Sequence, residues 1–220
     1  QTDKTKTYDS IANDYDSKTK WDEFVMGLYL LRRYVIKTNA SGNVLELSVG
    51  TGRNMKYYHD TIGLKNEISS LTLLDKSGSM LQQSENNPYT KSLVKEYIKL
   101  GKRIRFYRGD SEHLKEFKEN EFDTVIDTFG LCSYKDPIKA IKEMKRVCNK
   151  DGGKIILLQH GVGKLEFLNK LLNQHAEDHA NKWGCWWNRD ILKLCEAAKL
   201  DVQSVSRFHF GTTYYIVAKP

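Results

Sequence analysis

The stretch VLELSVGTGRN, Val44 to Asn54, constrains the fold of this chain more than any other. Val44 to Leu47 reads as a buried strand. Gly50 and Gly52 follow, and the polar Asn54 then stands where a helix can begin. A strand, a glycine turn and a helix in that order open a parallel α/β sheet, in which ligands gather at the carboxyl ends of the strands. Glycines in such a turn take backbone conformations closed to residues bearing Cβ, and they let the chain approach a ligand closely.

The rest of the chain repeats the rhythm. Ile68 to Leu74 ends at Asp75, Ile104 to Tyr107 precedes Gly109 and Asp110, and Phe122 to Ile126 ends at Asp127. Lys154 to Gln159 forms a fifth run. Helical candidates lie between them: after Gly52, from Ser77 to about Gln83, and from Pro137 to Val147. In the last, Ile138, Ile141, Met144 and Val147 recur at helical spacing behind a proline suited to a first turn. After the fifth run, Leu165, Leu168, Leu171 and Leu172 mark an amphipathic helix, and another runs from about Arg189 to Ala198. Two strand-like runs then meet near Gly211, which predicts an antiparallel hairpin. The expectation is an α/β, Rossmann-like sheet of five parallel strands closed by a C-terminal antiparallel hairpin, as one domain over residues 1–220.

Composition narrows the class. Hydrophobic residues at 40% and charged residues at 29% suit a globular chain. No apolar run approaches the roughly 18 residues that span a bilayer. A chain beginning at Gln1 is expected to be a trimmed piece, with any targeting or anchoring segment upstream. The cysteines Cys132, Cys148, Cys185 and Cys195 form no C-x-x-C pair and read as ordinary thiols of a reducing compartment. His175 and His179 stand four apart, yet no third or fourth ligand is near in sequence, so no metal is expected. The net charge of +7 is uneven: between Lys91 and Arg108 seven cations face one acid, Glu96. Lys91, Lys95 and Lys99 would form one helix stripe, either a solvated face or a contact for anionic lipid or RNA phosphates.

The glycine turn itself discriminates between cofactors. A dinucleotide site uses G-x-G-x-x-G, but Met55 occupies the third glycine position. Glu46 at the loop entrance would oppose a pyrophosphate and suits a cofactor bearing an ammonium group.

With those residues in view, the chain resembles a class I S-adenosylmethionine (SAM)-dependent methyltransferase of the ubiquinone/menaquinone-biosynthesis type. The family's acid-x-G-x-G-x-G reads here as Glu46-Leu47-Ser48-Val49-Gly50-Thr51-Gly52, with Ser48 in place of a glycine. Ser48 fits without strain if its φ stays negative. The resemblance implies that Asp75 takes the ribose hydroxyls, with Lys76 beside it, and that Ser77, Met80 and Leu81 flank the adenine. In Gly109-Asp110-Ser111-Glu112 it implies adenine contacts from Asp110 and Ser111. Ser48 and Asn54 are further cofactor-binding candidates of the glycine loop, and Asp127 and Thr128 would border the methionine end. YDSIANDYD resembles a helical lid, residues 1–43, in which Tyr8 and Tyr15 close over SAM. The segment DPIKAIKEMKRVCNKDGGKIILLQHG resembles the family's stretch before strand five.

HAEDHANKWGCWWNRD, with the GTGRN loop, is similar more narrowly to fungal mitochondrial methyltransferase-like proteins and to membrane-associated thiol methyltransferases. That likeness implies a mitochondrial location, with inner-membrane anchoring through a segment absent from this chain. Residues 161–200 would form a helical acceptor-pocket insertion, in which Trp183, Trp186 and Trp187 either wall an acceptor or cap the core. The methyl of SAM is already electrophilic, so catalysis rests mainly on positioning. A base is needed only for a phenol or thiol acceptor, and His160, after the fifth strand, is the candidate. The expected function is methyl transfer to a small or lipophilic acceptor of quinol, phenol or thiol type. Two alternatives stand beside it: a catalytically weak mitochondrial assembly factor, and an RNA methyltransferase using the Lys91 to Arg108 face.

Overall fold

The computed structural model describes residues 3–64 and 67–220; the first two residues of the expected lid lie outside them. A seven-stranded sheet runs in the order β3-β2-β1-β4-β5-β7-β6. Its strands are β1 (Gly42–Leu47), β2 (Ile68–Asp75), β3 (Arg103–Arg108), β4 (Thr124–Thr128), β5 (Lys154–His160), β6 (Asp201–Phe208) and β7 (Thr213–Lys219). The first five are parallel, and β7 lies antiparallel between β5 and β6. This is the architecture the alternating pattern predicts. Strand four begins two residues later than expected, because Phe122 makes only an isolated bridge to Cys148.

The inner parallel strands β1, β2, β4 and β5 are largely buried on both faces, so they read as near-continuous apolar runs, whereas β3 at the sheet edge buries none of its residues. Along β5, Ile155 and Leu157 join the core on one face, and Ile156 and Leu158 join the core on the other. The first face is covered by α7 (Pro137–Val147) through Ala140, Ile141, Met144 and Val147, and by α10 (Ile191–Ala197) through Ile191 and Cys195. Helix α7 starts where Asp136 accepts a hydrogen bond from the Lys139 N–H and Pro137 fills the first turn. The second face is covered by α3 (Leu28–Asn39), α4 (Met55–Tyr58) and α6 (Pro88–Lys99), which supply Val35, Ile36, Met55, Tyr58, Leu93 and Tyr97.

Two short helices, α1 (Thr5–Ile11) and α2 (Tyr15–Val25), precede α3; α5 (Gly78–Asn86) follows β2, and α8 (Glu166–Gln174) and α9 (Ala176–Trp183) follow β5. Helix α8 buries none of its residues. Its expected apolar stripe is left largely uncovered, with Leu165 at 38% and Leu171 at 52% exposure. Among the described residues no helix is long and apolar enough to cross a membrane.

Candidate cofactor site

The chain runs outward from β1 through β2 to β3, then returns to place β4 on the other side of β1. That reversal opens a crevice between the carboxyl ends of β1 and β4, the usual ligand position in open α/β sheets. A cleft of about 900 Å3 lies there, counted out to bulk solvent.

One wall is the glycine turn. Val49 N–H donates to the Leu74 carbonyl, and Gly50 N–H donates to Asp75 Oδ2 at 2.8 Å, tying the turn to the end of β2. The two glycines do different work. Gly50 has φ of +57°, and a Cβ added there would meet only the Ser48 carbonyl, at 4.0 Å, so the position faces open space. Gly52, with φ of +83°, packs against α5: an added Cβ would stand 2.8 Å from Ser84 Oγ. Gly50 lines the cleft and Gly52 does not.

Ser48 departs from expectation. Its φ is +50°, in the left-handed region, so the condition for an unstrained serine is not met. Its Oγ bonds the Tyr134 hydroxyl at 2.8 Å, across the cleft mouth. A serine is thus kept in a backbone conformation suited to glycine, and its side chain gains a partner from the loop after β4.

The adenosine-side candidates gather at the ends of β2 and β3. Asp75 Oδ1 accepts from the Ser77 N–H at 2.9 Å, and burial pushes its carboxyl up to about 6. Ser77 caps α5 by accepting from the Met80 N–H. Lys76 bridges Asp110, at 2.9 Å, and Asp3, at 2.6 Å. Asp110, Ser111, Lys76 and Met80 all line the cleft, together with Tyr8 and Tyr15 from the N-terminal helices and Thr128 from the end of β4.

Four of the expected residues stand behind the lining rather than on it: Gly52, Glu46, Asn54 and Asp127. Glu46 is 1% exposed, accepting from Asn54 Nδ2 at 2.8 Å and from the Tyr58 hydroxyl at 2.6 Å. Burial pushes its carboxyl up to about 7. Asp127 accepts from Gly130 N–H, Gln159 Nε2 and the Tyr134 hydroxyl, and burial pushes it up to about 6. It shapes the turn that presents Gly130 and Tyr134 to the cleft.

Sequence reasoning named Lys76 but missed the arginines of the site. Arg32 is 7% exposed yet lines the cleft, donating to Thr128 Oγ1 at 2.9 Å and Asn54 Oδ1 at 3.2 Å and pairing with Glu23 at 2.9 Å. Its guanidinium also lies over the Phe129 ring. Arg53 pairs with Glu23 and Asp16, both at 2.8 Å, and lies over Tyr15. The available signal was Arg32 itself, which occupies the inward stripe of α3 between Leu28 and Ile36.

At the other end, His160 Nε2 stands 2.7 Å from Cys185 Sγ, and its ring lies 5.2 Å from that of Phe129. His160 is not on the lining. Cys132 completes this group; its thiol is held well below the usual range, first by the hydrogen bond from Cys185 and then by His160. The expectation of four unremarkable thiols therefore holds poorly for two of them. His175 is exposed at the α8–α9 junction, whereas His179 bonds the Cys185 carbonyl and stacks on Trp187 at 3.8 Å. Trp187 Nε1 donates to the Leu172 carbonyl, so that indole fastens α8 to the segment after α9.

The donor set suits SAM. Carboxylates Asp75 and Asp110 can accept from hydroxyl and amino groups, Gly50 leaves open space for close approach, and Arg32 and Arg53 offer cations for a carboxylate. Residues 45–157 match the family described as "Methyltransferase domain". The chain belongs to that family, and its fold is the Rossmann-like one of solved SAM-dependent methyltransferases. It is 36% identical to the mitochondrial methyltransferase OMS1 of Saccharomyces cerevisiae, over 99% of this chain and 46% of that protein. It is 26% identical to the ubiquinone/menaquinone biosynthesis C-methyltransferase UbiE of Bdellovibrio bacteriovorus, over 80% of this chain and 70% of that protein. The chain thus spans about half the length of the yeast relative. Among solved structures, a SAM-dependent methyltransferase of Thermotoga maritima superposes with a TM-score of 0.65 at 19% identity, covering 97% of both chains.

Proposed function

We propose that this chain binds SAM in the cleft at the β1–β4 crevice and transfers its methyl group to a small or lipophilic acceptor of quinol, phenol or thiol type. The carrying observation is the pairing of Gly50 with Asp75: an open, left-handed glycine whose N–H is fixed by a cleft-lining carboxylate. In this reading Asp75 holds the ribose hydroxyls, and Asp110 and Ser111 hold the adenine, with Lys76 and Met80 beside them. Tyr8 and Tyr15 cover the cofactor, and Thr128 borders its methionine end. Arg32 and Arg53 meet its carboxylate. Ser48 lines the cleft beside Gly50, and Gly52, Asn54, Glu46 and Asp127 shape the walls behind these contacts. SAM supplies an electrophilic methyl; the chain's task is alignment and exclusion of water.

The base role expected of His160 is not part of this proposal, because its Nε2 is engaged by Cys185 and Phe129 stands between it and the cleft. Of the expected lid, residues 1–43, helices α1 and α2 act as the lid while α3 packs on the sheet; of the expected insertion, residues 161–200, the part before α10 forms the acceptor side while α10 packs on the sheet. The quinone-biosynthesis relative supports a lipophilic acceptor, and the yeast relative supports a mitochondrial location. For the basic face, lipid is favoured over RNA: Ile98, beside Lys95 and Lys99, is 70% exposed, as an interfacial helix requires.

Calorimetric titration with SAM tests the reading. Asp75→Ala is expected to weaken binding at least about tenfold by removing a buried hydrogen-bonded acceptor, and Gly50→Arg to abolish it. Absence of binding heat with the intact protein would defeat the proposal.

A further inference from the structure

Beyond the cleft wall, three donors with affinity for soft metal ions converge from separate parts of the chain. Cys132 lies in the turn after β4, His160 ends β5, and Cys185 lies between α9 and α10. The two sulfurs and a ring nitrogen of His160 lie within 4.8 Å of one another. Cys132 and Cys185 are 1% and 5% exposed, His160 is half-buried, and both thiols are free. We propose that Cys132, His160 and Cys185 form a binding site for one zinc ion, with the fourth coordination position left to water or another small donor.

Donor chemistry selects the metal. Thiolate sulfur and imidazole nitrogen are the preferred partners of zinc, and three protein ligands with an open fourth position mark a reactive rather than a purely structural zinc site. Magnesium and calcium require oxygen ligands, and the cluster contains no carboxylate. Two thiolates cancel the charge of a divalent cation, so the occupied site is neutral, which burial demands. Ligands around tetrahedral zinc stand roughly 3.5 Å apart, given bonds of about 2.3 Å to sulfur and 2.0 Å to nitrogen. Cys185 and His160, at 2.7 Å, need to separate by under about 1 Å to reach that spacing.

The surroundings hold the ligands in place. Trp186 N–H donates to the Cys132 carbonyl and His179 Nδ1 bonds the Cys185 carbonyl, both at 2.9 Å, so each cysteine's backbone is pinned by a neighbouring side of the pocket. Ser133 Oγ lies 3.5 Å from Cys132 Sγ and 2.6 Å from the hydroxyl of Tyr8, a cleft residue. The ion would therefore sit directly behind Tyr8 and Phe129. Binding exchanges the two thiol protons for one zinc ion, with no change of oxidation state, so affinity falls as the solution is acidified. The site does not depend on methyl transfer.

The test uses the full chain, reduced and stripped of metal, titrated with Zn2+ against a chromophoric chelator and separately with Co2+. The expected result is one tightly bound equivalent of zinc, and a cobalt spectrum with thiolate charge-transfer bands and tetrahedral visible bands. Cys132→Ser, Cys185→Ser and His160→Gln are each expected to weaken zinc binding at least about tenfold. Cys148→Ser and Cys195→Ser are expected to leave it unchanged. The cobalt spectrum of the unsubstituted protein needs no variant to fold, and circular dichroism checks those that are used. No tight equivalent, an octahedral cobalt spectrum without charge transfer, or affinity indifferent to the three ligand substitutions would overturn the site.

Discussion

Glu46 shows how a single buried carboxyl can set a property of the protein. Its oxygens accept from Asn54 and Tyr58, yet burial outweighs those bonds and lifts its titration to about 7. A raised value means the folded state holds the proton more tightly than the unfolded one. The stabilisation is therefore complete below the ordinary value of 4.5 and is lost as pH rises through about 7. Asp75 and Asp127, each near 6, act in the same direction. Glu46→Gln keeps the shape and removes the titration. Relative to the wild type, the variant is expected to gain on the order of 3 kcal/mol between pH 4.5 and 7.5. Urea unfolding across that range measures it, and parallel curves for the two proteins would refute the assignment. Ser48 belongs to the same local economy of strain: a left-handed serine beside the cofactor turn is tolerated because Tyr134 holds its hydroxyl.

Helix α1 is fastened almost wholly by polar contacts. Asp9 accepts from Ser77 Oγ at 2.5 Å, Lys4 donates to Asn181 Oδ1 at 3.1 Å, and the Tyr8 hydroxyl bonds Ser133. Gly184 completes the seat: its φ is +75°, and an added Cβ would stand 2.6 Å from the Tyr8 ring. Gly184→Val is expected to lift α1 and raise amide exchange over residues 5–11 about tenfold, with the sheet unaffected. Mass-spectrometric hydrogen exchange reads this directly, and an unchanged α1 would show that Tyr8 has room to yield. The elements that could be read from sequence are those governed by local rules. Alternating apolar runs marked β1 to β5, the Asp136-Pro137 start marked α7, and Gly211 marked the terminal hairpin. What escaped depends on distant packing. The inward turn of Arg32, the positive φ of Ser48 and the meeting of Cys132 with Cys185, 53 positions along the chain, leave no short-range pattern.

Two surfaces distinguish the exterior. One is the lysine face of α6. The other is apolar: Trp21, Phe24, Val25 and Leu30 on α2 and α3 are 56% to 70% exposed, and Phe210 is 76% exposed. His209 Nε2 bonds the Met26 carbonyl, joining the Phe210 turn to the α2–α3 corner. A patch of this kind marks an interaction surface. Exposed aromatic and aliphatic side chains of this kind would supply the apolar part of the lipid contact proposed above. The protein is expected to float with anionic vesicles, and Trp21→Ser with Phe24→Ser and Leu30→Ser to reduce the bound fraction several-fold. Equal flotation of the triple variant would exclude this face.

Helix α1 and the lysine before it tie Ser77, after β2, to Ser133, in the turn after β4, and to Asn181 on α9. One short clasp thus fastens three segments that lie far apart along the chain, and its release would loosen all three together.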